Sequence, residues 1–86
     1  MIPEHTMAAL NRYVEQKILP GGFLTKVLSN DLFGAVALAD RENCAALPEI
    51  VKYIYNDVPA NAWGSQTAVY DYVKDAFYRS MAKVNS

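Results

Sequence analysis

The chain has 86 residues, 52% of them apolar and 20% charged, which is enough for one folded domain and excludes a disordered chain. So short a chain has a thin core, and apolar surface in excess of that core is expected to be covered in a homo-oligomer. Eight Lys and Arg against nine Asp and Glu leave a net charge of −1. That disfavours nucleic acid as a partner, because phosphate-backbone binding needs a basic surface.

Pro3 suits a first helical turn, where its missing N–H costs nothing, and Glu4 stands at the same positive dipole end. Met7, Leu10, Val14 and Ile18 recur at helical spacing, and Pro20 is expected to stop the helix, giving a first helix over about 3–18. Gly21-Gly22 breaks the chain. Leu24, Val27 and Leu28 then mark a helix over 23–29. Ser29-Asn30-Asp31 is a cluster of capping residues, and Leu32, Phe33, Val36, Ala37 and Ala39 form a third helix over 32–39. Helices two and three are apolar on most sides, as central elements of a bundle are.

Asp40 is read as the next N-cap. Leu47, Ile50, Val51, Ile54 and Val58 make a stripe over 41–57, with a kink or restart expected at Pro48. Residues 60–64 read as loop, and Ser65 caps a last helix over 66–83 whose stripe is Val69, Tyr72, Val73, Ala76, Phe77 and Met81. No useful length alternates with period two. Val51 to Tyr55 has strand-like composition, but helical spacing continues through it. The expectation is an all-α fold, a compact bundle of about five short helices in a single helical domain, 1–86.

Catalytic equipment is sparse. The one histidine, His5, lies on the first helical turn, where a lone histidine is more often neutral than catalytic. Cys44 is the one cysteine, so no internal disulfide forms and no CxxC-type metal site exists; set among small residues, it reads as a small buried hydrophobe. Arg41, one turn away, leaves a reactive thiolate as the weaker alternative. Asp71 and Asp75, at i,i+4 around Lys74, read as solvated charge rather than metal ligands. The chain shows no phosphate-loop or dinucleotide motif. An enzyme is not expected, and neither is a cofactor or a metal.

Two helix starts invite a ligand. Gly21, Gly22 and Phe23 open the second helix with free backbone N–H groups, and Lys26 reaches back from the next turn. A tight turn with a solvated lysine explains the same residues. Trp63, Gly64 and Ser65 open the last helix. Trp63 is read first as a staple of the loop onto the core and second as a stacking platform. Asn30 and Asn56 add polar contacts. Tyr70 and Tyr78 lie off the apolar stripe, as interface tyrosines do.

Ile2-Pro3-Glu4-His5-Thr6, Arg12-Tyr13-Val14-Glu15, Pro20-Gly21-Gly22-Phe23-Leu24, Val27 to Phe33, Ala39-Asp40, Tyr55-Asn56 and Trp63-Gly64-Ser65 occur in this order. The series, over residues 2–65, resembles a family of small proteins of uncharacterised activity encoded by tailed phages and prophages. Lys26, Leu38 and Ala62 depart from the pattern, where a small residue, a basic residue and a cysteine are expected. The resemblance implies a phage accessory protein in the cytoplasm of a bacterial host, acting by stoichiometric binding and serving in counter-defence. It supplies no catalytic residue.

The combined expectation is a non-catalytic binding protein for a small anionic, nucleotide-like ligand. The alternative is a protein–protein interaction module that inhibits or regulates a host protein. The start of the chain lacks a basic and apolar leader, and no apolar run approaches the roughly 20 residues of a membrane span, so no membrane association is expected.

Overall fold

The structure is a computed structural model that describes residues 1–74. Helices are the regular elements of these residues, with no strand among them, and they form a small all-α bundle. Helix α1 runs Glu4–Gln16, α2 Gly22–Leu28, α3 Leu32–Leu38 and α4 Arg41–Asp57; a 3-10 turn covers Ala60–Ala62. A further helix, α5, covers 66–74. Its expected end at 83, and the stripe residues Ala76, Phe77 and Met81, lie outside the described residues.

The starts follow local capping chemistry. Asp31 Oδ1 accepts from the Gly34 N–H at 2.9 Å, Asp40 Oδ1 from the Asn43 N–H at 2.8 Å, and Ser65 Oγ from the Ala68 N–H at 3.0 Å. The first helix ends earlier than Pro20 implies. Lys17 takes a left-handed conformation (φ 57°), and its N–H donates to the Tyr13 carbonyl at 3.0 Å, which closes α1 at Gln16. Ile18 therefore falls outside the helix and is exposed. Asn30 (φ 64°) closes α2 the same way, with the Asp31 N–H on the Lys26 carbonyl at 2.9 Å. Through Pro48 α4 runs as one element without a restart; Pro48 is exposed, so water can serve the carbonyl it leaves free.

The core gathers Leu10, Tyr13, Leu24, Leu28, Ile50, Ile54, Val58, Val69 and Tyr72. The buried face of α1 is Thr6, Leu10 and Tyr13, whereas the expected Met7 and Val14 are half-buried. Thr6 and Tyr13 are admitted because their hydroxyls are satisfied. Thr6 Oγ1 donates to Asn43 Oδ1 at 2.6 Å, and the Tyr13 hydroxyl donates to the Ala62 carbonyl at 2.7 Å. The Tyr72 hydroxyl donates to the Val14 carbonyl at 2.6 Å, its ring 5.0 Å from that of Tyr13. Burial, with a smaller effect from Tyr72, pushes the Tyr13 phenol well above its ordinary pKa.

Helices α2 and α3 pack against each other as a hairpin, but α3 is not a central element. Of α3 only Ala35 is buried; Leu32, Phe33, Val36 and Leu38 are all exposed, Phe33 at 88%. At seven residues, α3 has one stripe to bury, and it spends that stripe on α2. No helix among the described residues is long and apolar enough to cross a membrane.

Candidate functional site

Two cavities flank the turn between α2 and α3, and Asp31 lines both. The first, about 460 Å³, lies between the start and outer face of α2 and the exposed side of α5. Its polar side chains are Thr25, Lys26, Ser29, Asp31, Gln66 and Tyr70. Gly21 is extended, and its carbonyl receives the Thr25 N–H at 3.0 Å, so α2 begins directly at the cavity wall. Thr25 Oγ1 turns back onto the Pro20 carbonyl at 3.1 Å and closes the loop. Lys26 Nζ stands 3.5 Å from Asp31 Oδ2, while Oδ1 of the same carboxylate caps α3. Gly34 makes this arrangement possible: a Cβ there would lie 2.6 Å from Asp31 Oδ2 and 3.0 Å from Lys26 Cδ.

Ser29 completes this wall. Its Oγ is buried and has no hydrogen-bond partner among the described residues. Buried hydroxyls are rarely left so, and each one points to strain or to a partner that arrives from outside. Tyr70, 45% exposed, stands at the rim.

The second cavity, about 250 Å³, is apolar. Val27, Ala35 and Ile54 line its inner side; Leu47, Val51 and Tyr55 of α4 form one wall and Leu32 of α3 another. Trp63 closes one end. Its Nε1–H donates to the Val58 carbonyl at 3.2 Å, and its ring lies 5.8 Å from that of Tyr55, tilted by 50°. Gly64 adopts φ 113°, which side-chain-bearing residues rarely take, and its N–H donates to the Leu28 carbonyl at 2.8 Å. The Trp63-Gly64 loop is thereby tied to the end of α2.

The two helix starts singled out in the sequence therefore do not form one site. Gly22 and Lys26 line the polar cavity; Asn30, Trp63 and Gly64 line the apolar one. Gly21 is exposed and lines neither, and Phe23 packs half-buried on the core. Asn56 Nδ2 donates to the Lys52 carbonyl at 2.9 Å on its own helix, away from both cavities. Ser65 spends its hydroxyl as an N-cap. Tyr70 joins Lys26 in the polar cavity, and Tyr78 lies outside the described residues. Thr25, Ser29, Gln66 and Tyr55 were not singled out. Ser29 carries a readable signal only as a capping type; that its hydroxyl lacks a partner depends on the tertiary surroundings.

His5 and Cys44 line neither cavity. Cys44 is exposed, not the small buried hydrophobe its neighbours suggest, because α4 turns Asn43 and Ala46 inward instead. No group of three or more His, Cys, Asp or Glu among the described residues is placed to hold a metal ion. What the cavities offer is binding chemistry: a cation with its carboxylate, hydroxyls and an amide around one, and mainly hydrocarbon, phenol and indole, with Asn30 and Asp31 beside them, around the other. Compared with protein-family models, curated proteins and solved structures, the chain matches none.

Proposed function

We propose that this chain is a non-catalytic binding protein that takes a small anionic, nucleotide-like ligand in the polar cavity. The observation that carries this reading is the partnerless Ser29 Oγ, buried in the wall that Lys26, Gln66 and Tyr70 share. An unmet buried hydroxyl costs about 1–3 kcal/mol, which a ligand oxygen would recover once the Ser29 side chain turns from its buried position toward the cavity. Lys26 supplies the charge. Its pair with Asp31 is about half exposed, and such pairs contribute about 0–1 kcal/mol, so a phosphate or carboxylate competes for the ammonium at little cost. The Tyr70 ring at the rim offers a face on which a base stacks.

The resemblance to tailed-phage proteins supports a setting in the cytoplasm of a bacterial host, where sequestering a nucleotide signal would serve counter-defence. A homo-oligomer fits a small domain with this much exposed apolar surface. Thermal denaturation against a panel of linear and cyclic nucleotides tests the ligand. At least one is expected to raise the melting temperature of the native chain, and Lys26→Ala to abolish that rise without lowering the ligand-free melting temperature by more than a degree or two. No rise with any nucleotide rejects the reading.

The second reading is a module that inhibits or regulates a host protein through Tyr70 and Tyr78. The 45% exposure of Tyr70 favours it. Replacing both tyrosines by Ser then abolishes capture of that host protein with helicity intact, whereas capture that persists excludes this surface.

A further inference from the structure

The exposed apolar face of α3 and α4 has no role in the polar cavity. Leu32, Phe33 and Val36 on α3, with Val51 and Tyr55 on α4, are 46–88% exposed. Leu32, Val51 and Tyr55 also line the apolar cavity, so face and cavity are continuous. At these exposures the five side chains present roughly 600 Å² to solvent, at the top of the range for a single patch on a monomer. Two such faces together cover about 1,200 Å², the lower bound of a standard stable interface.

Charge selects the partner. Residues 32–39 carry no charged side chain; Asp31, which is paired with Lys26 and lines the apolar cavity, and Asp40 bound that stretch. A lipid surface would need a cluster of lysines or arginines; α3 has none, and α4 sets Arg41 and Lys52 against Glu42, Glu49 and Asp57. The uncharged α3 part of the face meets its own copy without bringing like charges together, and the charges of α4 are of both signs. The face also carries both halves of a contact, a projecting Phe33 at 88% exposure and a mainly apolar cavity of about 250 Å³ for an aromatic anchor to enter.

We propose that a second copy of this chain docks here about a two-fold axis, with Phe33 of each copy seated in the apolar cavity of the other. The arrangement is isologous and closes at two copies. It uses the apolar cavity only, so it stands or falls separately from nucleotide binding in the polar one.

Sedimentation velocity over a concentration series of the full chain tests it. The native protein is expected to run as two copies. Phe33→Asp is expected to weaken association roughly thirtyfold or more, as loss of a central aromatic anchor does. Asp is compatible with the second position of a helix, and circular dichroism should show unchanged helicity. Val51→Glu, which spoils the cavity and leaves Phe33 in place, is expected to weaken association to a similar degree. Should either variant fail to fold, the other decides. Mixing the two variants restores one intact Phe33-in-cavity contact per pair and should partly recover the two-copy species. A native chain that stays single across the series overturns the proposal, as does a mass that grows beyond two copies or variants that associate like the native chain.

Discussion

The two cavities that meet at Asp31 begin from the same kind of local sequence, a helix start marked by glycine with an aromatic residue beside it. Gly22 and Phe23 open α2, and Trp63 and Gly64 precede α5. Their chemistry is nevertheless opposite. Phe23 turns into the core and leaves Lys26, Ser29 and Tyr70 to line a polar space, whereas Trp63 lies across the end of a hydrocarbon space and spends its indole N–H on Val58. A helix start therefore does not define a site by itself; what stands across the gap does. For the first that is α5, with Gln66 and Tyr70; for the second it is α4, with Leu47, Val51 and Tyr55.

The contrast is most strongly broken from below. Ile54 is 4% exposed and lines the apolar cavity as well as the core. Ile54→Ala should cost about 2–4 kcal/mol in chemical denaturation and enlarge that cavity alone. A loss under about 1 kcal/mol would mean that the site collapses freely and the apolar cavity is no fixed feature.

Tyr13→Phe probes the buried polar contacts of the core, apart from both cavities. At neutral pH it should cost about 1–3 kcal/mol, because the Ala62 carbonyl loses its buried partner. Its pH signature is specific. The folded phenol has a pKa raised above the unfolded 10.0, so its contribution is full below pH 10.0 and is lost as pH rises further. Native stability should fall more steeply than that of Tyr13→Phe above this pH, by at most about 1.4 kcal/mol per pH unit. Parallel alkaline slopes for the two proteins would contradict the burial of this phenol.

Gly64→Ala acts on the tie between the two cavities. At φ 113° a side chain strains the backbone, and a loss of about 1–2 kcal/mol in thermal or chemical denaturation is expected. An unchanged midpoint would show that the Gly64 contact with Leu28 does not hold the loop. The smallest effect on stability is the sharpest on function. Ser29→Ala removes a hydroxyl with no partner, so ligand-free stability should stay level or rise by up to about 1 kcal/mol. The same change should weaken the nucleotide-induced thermal shift. A destabilisation without ligand would mean that the hydroxyl already serves the fold.

Much of the helical organisation was legible residue by residue. Asp31, Asp40 and Ser65 announce their helices because an N-cap bonds a backbone N–H only three residues away. Helix ends were harder. Lys17 and Asn30 close α1 and α2 in left-handed conformations, and a lysine carries no local mark of that role. The Lys17 ammonium lies 4.3 Å over the Tyr72 ring, a contact that exists only once α5 has packed against α1. Periodicity of apolar residues points to Met7, Leu10, Val14 and Ile18 for the buried face of α1 and does not pick out Thr6 and Tyr13, which join Leu10 there. Of the candidate site, Lys26, Asn30, Trp63 and Gly64 were visible as types, but their division between two cavities was not.

By itself the sequence determined an all-α chain, the number of its helices over residues 1–74, and most of their starts, because spacing and capping act within one or two turns. Only the tertiary structure decided which polar groups enter the core, which apolar helix stays outside, and which hydroxyl is left without a partner. The Thr6–Asn43, Tyr13–Ala62 and Tyr72–Val14 bonds join residues 37, 49 and 58 positions apart. A buried polar group is tolerated or refused according to a partner at that distance along the chain, and no local pattern reports it.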